Sequence, residues 1–72
     1  MDLSARHPGT QQIARYFAYA HLPHDLRVVS MPCAELAEAM ISVLPDGPEL
    51  TAGLRKLLEA KDCFVRAALP PT

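Results

Sequence analysis

The chain has little of what small functional domains are usually built around. Three glycines in 72 residues leave no Gly-rich loop to cradle a phosphate. Two cysteines and three histidines make no tight cluster: "HLPH" spaces two histidines by three, but across a helix break, and no carboxylate or cysteine completes a tetrahedral set. No metal or other cofactor is therefore expected. No nucleophile–base pair is visible, and so small a chain without a metal motif is not expected to be an enzyme. The basic excess of a DNA or RNA binder is also missing, because seven Lys and Arg against eight Asp and Glu give a net charge of −1. Without a basic recognition helix, a regulatory DNA-binding domain is disfavoured too. No apolar run is long enough to span a membrane, and "MDLSARHPGT" lacks the apolar centre of a signal peptide. The expectation is a soluble, cytoplasmic protein with no nucleic-acid polymer and no membrane as partner. Aromatic rings are few: Tyr16, Phe17, Tyr19 and Phe64.

What is present is apolar character and helical spacing. Half of the residues are apolar, which excludes a disordered chain. A domain this small buries only about 60% of the surface its unfolded chain exposes, so self-association is the expected aid to stability.

Residues 1–9 carry a Pro-Gly pair and little periodicity and read as a flexible arm. Thr10 is then the expected N-cap of a helix over about 10–20, with Ile13, Tyr16, Phe17 and Ala20 on one face. "HLP" breaks it, and Pro23 suits the first position of the next helix. There Leu26, Val29, Cys33, Leu36, Met40 and Leu44 are spaced 3, 4, 3, 4 and 4. The stripe keeps its phase through Pro32, which predicts one helix over about 24–44, kinked near Pro32. A fresh helix capped by Ser30 is the rival. "LPDGP" is a turn, and a third helix follows over 48–69 with the stripe Leu50, Leu54, Leu57, Lys61, Phe64 and Ala68.

The short turn makes the two long helices an antiparallel hairpin. Opposed residue numbers then sum to about 94, so Leu44 meets Leu50, Met40 meets Leu54 and Leu36 meets Leu57. The fold class is all-α: a short N-terminal helix plus a long helical hairpin in a single domain. Val28, Ile41, Val43 and Leu69 lie off the seam, and this surplus apolar surface predicts a homo-oligomer.

The charges fall into two groups. Lys61 sits on the seam opposite Cys33, so it either snorkels to water or meets an anion or a neighbouring chain's carboxylate. Arg55, Glu59, Asp62 and Arg66 form an outer stripe whose i,i+4 pairs, Arg55–Glu59 and Asp62–Arg66, support the helix. Arg66 lies near the end of the hairpin where the first helix brings Tyr16 and Tyr19, an arrangement suited to a phosphate and a base. Cys33 and Cys63 are expected as buried free thiols.

The order "FAYAHL", "ELAEAM", "LPDGPEL", "LRKLLEAKDCFVRAAL" resembles the phage anti-CBASS and anti-Thoeris hairpin-domain family of cyclic-oligonucleotide sponges, from about residue 15 to 69. The resemblance implies an all-helical hexamer that sequesters cyclic di- and trinucleotide immune signals without degrading them, in the cytoplasm of an infected bacterium. The ligand would be held between protomers, with a ring stacked on a base and Lys or Arg on the phosphates. Tyr19 in "FAYAHL" is similar to the family's stacking tyrosine, and Arg66 in "VRAAL" to an arginine late in its last helix. The family's lysine on the first hairpin helix has no counterpart: Ala34 stands near its place, and Arg27 is the base on that helix. The expected ligand-binding residues are Tyr19, Arg66, Tyr16, Arg27 and Lys61. The alternative is a helical self-association module with no nucleotide ligand.

Overall fold

The computed structural model describes residues 3–70. These form α1 (Pro8–Ala14), a 3-10 turn (Arg15–Phe17) that follows directly, α2 (His24–Val43) and α3 (Pro48–Ala68), with no strand among the described residues.

The start of α1 differs from expectation. Pro8 occupies the first turn, where a missing N–H costs nothing, and His7 is the cap, its Nδ1 accepting from the Gly9 N–H at 2.9 Å. Thr10 does not cap. It is buried, and its hydroxyl donates to Asp46 Oδ1 at 2.9 Å. The helical run also stops before residue 20: the last turn tightens to 3-10 and Ala18 is already extended, with φ −59° and ψ 136°. A turn closed by Leu22 N–H to Tyr19 O then leads into Pro23, which is the N-cap of α2 rather than its first helical residue.

The stretch expected as a free arm is tied down from residue 3 onward; residues 1 and 2 lie outside the described residues. Leu3 packs on the core. Arg6 donates to Asp46 Oδ1 at 3.0 Å and to the carbonyls of Ile41 at 2.6 Å and Leu44 at 2.8 Å. The last carbonyls of a helix have no partner within it and favour a cation. The last turn of α2 has no basic residue of its own, so Arg6 supplies one from the N-terminal segment. Asp46 Oδ2 accepts in turn from the His7 N–H at 3.0 Å. One carboxylate thus gathers three donors and clasps the start of the chain to the α2–α3 connection.

The clasp makes an acid dependence. The His7 N–H, with the Thr10 hydroxyl and the Arg6 guanidinium, holds the Asp46 carboxyl below its ordinary value of 3.8, against a smaller opposing push from desolvation. A carboxylate held lower in the folded state stabilises above its unfolded value and loses that contribution as pH falls through the folded one. Asp46→Asn is therefore expected to melt below the wild type at pH 7, with the gap closing below about pH 4. Circular-dichroism melts from pH 7 to 2.5 check this, and a gap independent of pH would refute it.

α2 continues through Pro32 without interruption. Residues 44–47 join it to α3, and the two helices pack against each other, with Leu36, Met40 and Leu44 on the α2 side lining one groove with Leu50, Leu54 and Leu57. The buried face of α2 is Ser30, Cys33, Ala37 and Ile41, of which only Cys33 belongs to the expected stripe. Leu36, Met40 and Leu44 are exposed, Leu36 by 49%, whereas Ile41, expected off the seam, is 2% exposed. The cause is the third element. Ile13 and Phe17 of the N-terminal segment join Cys33, Ala37, Ile41, Leu50 and Leu54 in one core cluster, Ile13 from α1, which packs on α3, and Phe17 from the 3-10 turn, which packs on α2. On α3, Leu57 and Leu58 are partly buried, but Phe64 is exposed. The displaced Leu36, Met40 and Leu44 face Leu50, Gly53, Leu54 and Leu57 across an apolar groove of about 280 Å³ on the α2–α3 pair.

No described helix is long and apolar enough to cross a membrane.

Candidate functional site

α3 presents Lys61, Asp62, Val65 and Arg66 to one cleft, since residues four apart share a helix face. The opposite wall comes from the N-terminal segment: Arg15 and Tyr16 of the 3-10 turn, with Ala18, His21 and Leu22 of the link beyond it. Ser30 of α2 completes the lining of this open cleft, whose volume is about 350 Å³. Arg15 and Tyr16 reach it because the chain tightens and turns after Ala14 instead of continuing as α-helix.

The electrostatics favour an anion. Arg15, Lys61 and Arg66 against Asp62 leave two positive charges in excess among the lysine, arginine and carboxylate groups of the lining. The Arg15 guanidinium carbon lies 5.4 Å from the Tyr16 ring centroid, within cation–π range. The Lys61 side chain is only 14% exposed, and its ammonium pairs with Asp62 Oδ1 at 3.1 Å. Its stem packs and its charge is met by the next residue, not by a group across the seam. The expected Asp62–Arg66 pair is thereby replaced, and Arg55–Glu59 does not reach ion-pair distance among the described residues. Arg66 donates to Cys63 Sγ at 3.3 Å. A thiol is a weak acceptor, so Arg66 retains most of its capacity for a phosphate, which it can grip with paired donors.

Ser30 is 1% exposed, and its hydroxyl has no hydrogen-bond partner. A buried hydroxyl left unpaired costs about 1–3 kcal/mol. Helical Ser and Cys often return a bond to the carbonyl one turn back. Cys33 does so, its thiol 3.6 Å from Val29 O; Ser30 does not. Both cysteines are free, but only Cys33 is buried, and Cys63 stands exposed beside Arg66.

Of the five expected ligand residues, Tyr16, Lys61 and Arg66 share this cleft. Arg27 is exposed on α2 and lines no part of it. Tyr19 lies in a neighbouring cleft of about 450 Å³ between the N-terminal segment and α2, of which Arg15 and Ala18 are also a part. Arg15 and Ser30 were not singled out as ligand groups from the sequence. Arg15 had one visible signal, its position beside Tyr16; Ser30 had none, because its burial depends on the docking of the N-terminal segment. No group of three metal-ligating side chains occurs among the described residues.

No family model, curated protein or solved structure matches the chain.

Proposed function

We propose that the protein binds a cyclic di- or trinucleotide in the cationic cleft and sequesters it without chemical change, as the phage hairpin-domain sponges do. The observation that carries this reading is the meeting of Arg15 and Tyr16 with Lys61 and Arg66 across one cleft, above the unpaired Ser30 hydroxyl. Guanidinium and ammonium groups suit the phosphates, and base–aromatic stacking is worth about 1–3 kcal/mol per base. The cleft is at the lower end of the range of about 300–1,000 Å³ for ligand sites. It has room for one nucleotide unit, and a second protomer would supply the other half of the grip. A homo-oligomer, a hexamer by the resemblance, is thus part of the proposal, as is action in the cytoplasm of an infected bacterium. Such a protein needs no catalytic group, because it acts by lowering the free concentration of a signal.

Isothermal titration of the full chain with a panel of cyclic di- and trinucleotides tests the reading. Binding at micromolar or lower concentration of at least one member is expected, and no heat with any of them would sink it.

A second reading, a self-association module without a nucleotide ligand, is favoured by the open apolar groove along Leu36, Met40 and Leu44. Light scattering on the same sample separates the two. An oligomer that ignores every nucleotide selects the module, and a strict monomer at micromolar concentration counts against both.

A further inference from the structure

The larger cleft differs in chemistry from the cationic one. We infer that it is a base-reading site for the same ligand, selecting a guanine-type ring, with adjacent N–H donors, over adenine. The inference rests on the proposed cationic cleft holding the phosphates.

Shape comes first. Ala14, Ala18, Ala34 and Ala37 line the larger cleft beside the buried Phe17 and Ile41. Short side chains leave open a space that larger ones would fill, and Tyr19 adds an aromatic wall. Such a lining suits a flat ring.

The polar side chains are Ser4, Gln11, Arg15, Tyr19, Glu35 and Glu38, in which two carboxylates stand against one cation. Glu35 and Glu38 stand three residues apart, on one face of α2. The amide nitrogen of Gln11 donates to Arg6 O at 2.8 Å, which leaves that side chain one N–H and its carbonyl oxygen. Arg15 is the one cation here, and it stands where the two clefts adjoin. A carboxylate only accepts. Phosphate is repelled from this side and drawn to the other, which fixes the ligand's orientation.

Guanine offers N1–H and the N2 amino group side by side, a match for the two oxygens of one carboxylate. Adenine places an acceptor nitrogen beside its amino group, and that nitrogen would face a carboxylate lone pair. Hydrogen bonds to an ionised acceptor are about twice as strong as neutral ones, and a site that bonds a donor rejects the analogue lacking it. Glu35 is exposed at the mouth of the cleft, so a preference of about tenfold is expected rather than the far larger ratios of fully buried sites.

The test is titration of the full-length wild type and Glu35→Gln with cyclic di-GMP and cyclic di-AMP, which share the same phosphates. The wild type should bind cyclic di-GMP about ten times more tightly. Glu35→Gln, whose amide can donate to the adenine ring nitrogen and accept from its amino group, should remove most of that preference by weakening cyclic di-GMP binding and strengthening cyclic di-AMP binding. Equal affinity of the wild type for the two ligands, or a preference that survives in Glu35→Gln, overturns the base-reading site and leaves the cationic cleft standing. Failure of both ligands to bind while another cyclic nucleotide binds overturns the guanine selection alone. Failure of every cyclic nucleotide overturns both proposals together.

Discussion

Phe17→Ala is expected to destabilise the fold by about 3–5 kcal/mol, the range for removing a buried phenyl ring. The ring is 4% exposed and lies at the end of the 3-10 turn, where the N-terminal segment meets α2 and α3. The core around it is thin: Ile13, Cys33, Ala37, Ile41, Leu50 and Leu54 are its other fully buried members. Cys33 and Ala37 are too short to reach into the space a lost ring would leave, so the cavity persists. Domains of this size have only a few kcal/mol to lose. Loss of a cooperative thermal transition by circular dichroism is the expected observation. A melting temperature within a few degrees of the wild type would mean that Phe17 is not central to the core.

If the cationic cleft binds a cyclic nucleotide as proposed, Arg66→Glu is expected to lower that affinity about a hundredfold or more, equivalent to about 2.8 kcal/mol. The substitution removes a phosphate donor and puts a second carboxylate beside Asp62, which leaves Arg15 and Lys61 facing two anions. Arg66 is exposed, and its one hydrogen bond goes to the Cys63 thiol, so the melting temperature should hardly move. Surface charges of this kind contribute little to folding. Arg66→Lys separates charge from geometry: it keeps the cation but loses the two-pronged grip, and it should fall between wild type and Arg66→Glu. Titration and melting on the same preparations check all three. An affinity unchanged by Arg66→Glu would take the cleft out of the binding site.

Part of the punctuation of the fold was plain in the sequence. "LPDGP" marks where α2 gives way to α3, and both end within a residue of where proline and spacing place them; "HLP" precedes α2 but does not end the first helix, which stops earlier. The packing of the two long helices on each other was legible too: Leu36, Met40 and Leu44 line one groove with Leu50, Leu54 and Leu57. The rotation of α2 was not legible. The expected stripe held Cys33 with the larger Leu36 and Met40, whereas the buried positions are Ser30, Cys33, Ala37 and Ile41, so Cys33 alone is common to both. Arg6 and Asp46 are 40 residues apart and have no local signature, so a docked segment read as an arm. For the site, helical spacing kept Lys61 and Arg66 on neighbouring positions of one helix, whereas Tyr19 left its expected place because the backbone becomes extended at Ala18.

The clasp at Asp46 bears on the order in which the molecule assembles. Its contacts join residues 36 to 40 positions apart, whereas α2 and α3 meet across a four-residue connection. Closing a long loop costs more chain entropy than closing a short one. Chain entropy therefore favours pairing of α2 with α3 before the N-terminal segment settles on them. That segment also carries Ile13 and Phe17 into the core, so seating it completes the core as well as the clasp. Arg15 and Tyr16 travel with it, so one wall of the cleft exists only while residues 3–17 are seated, and the step that completes the core is also the step that builds the site.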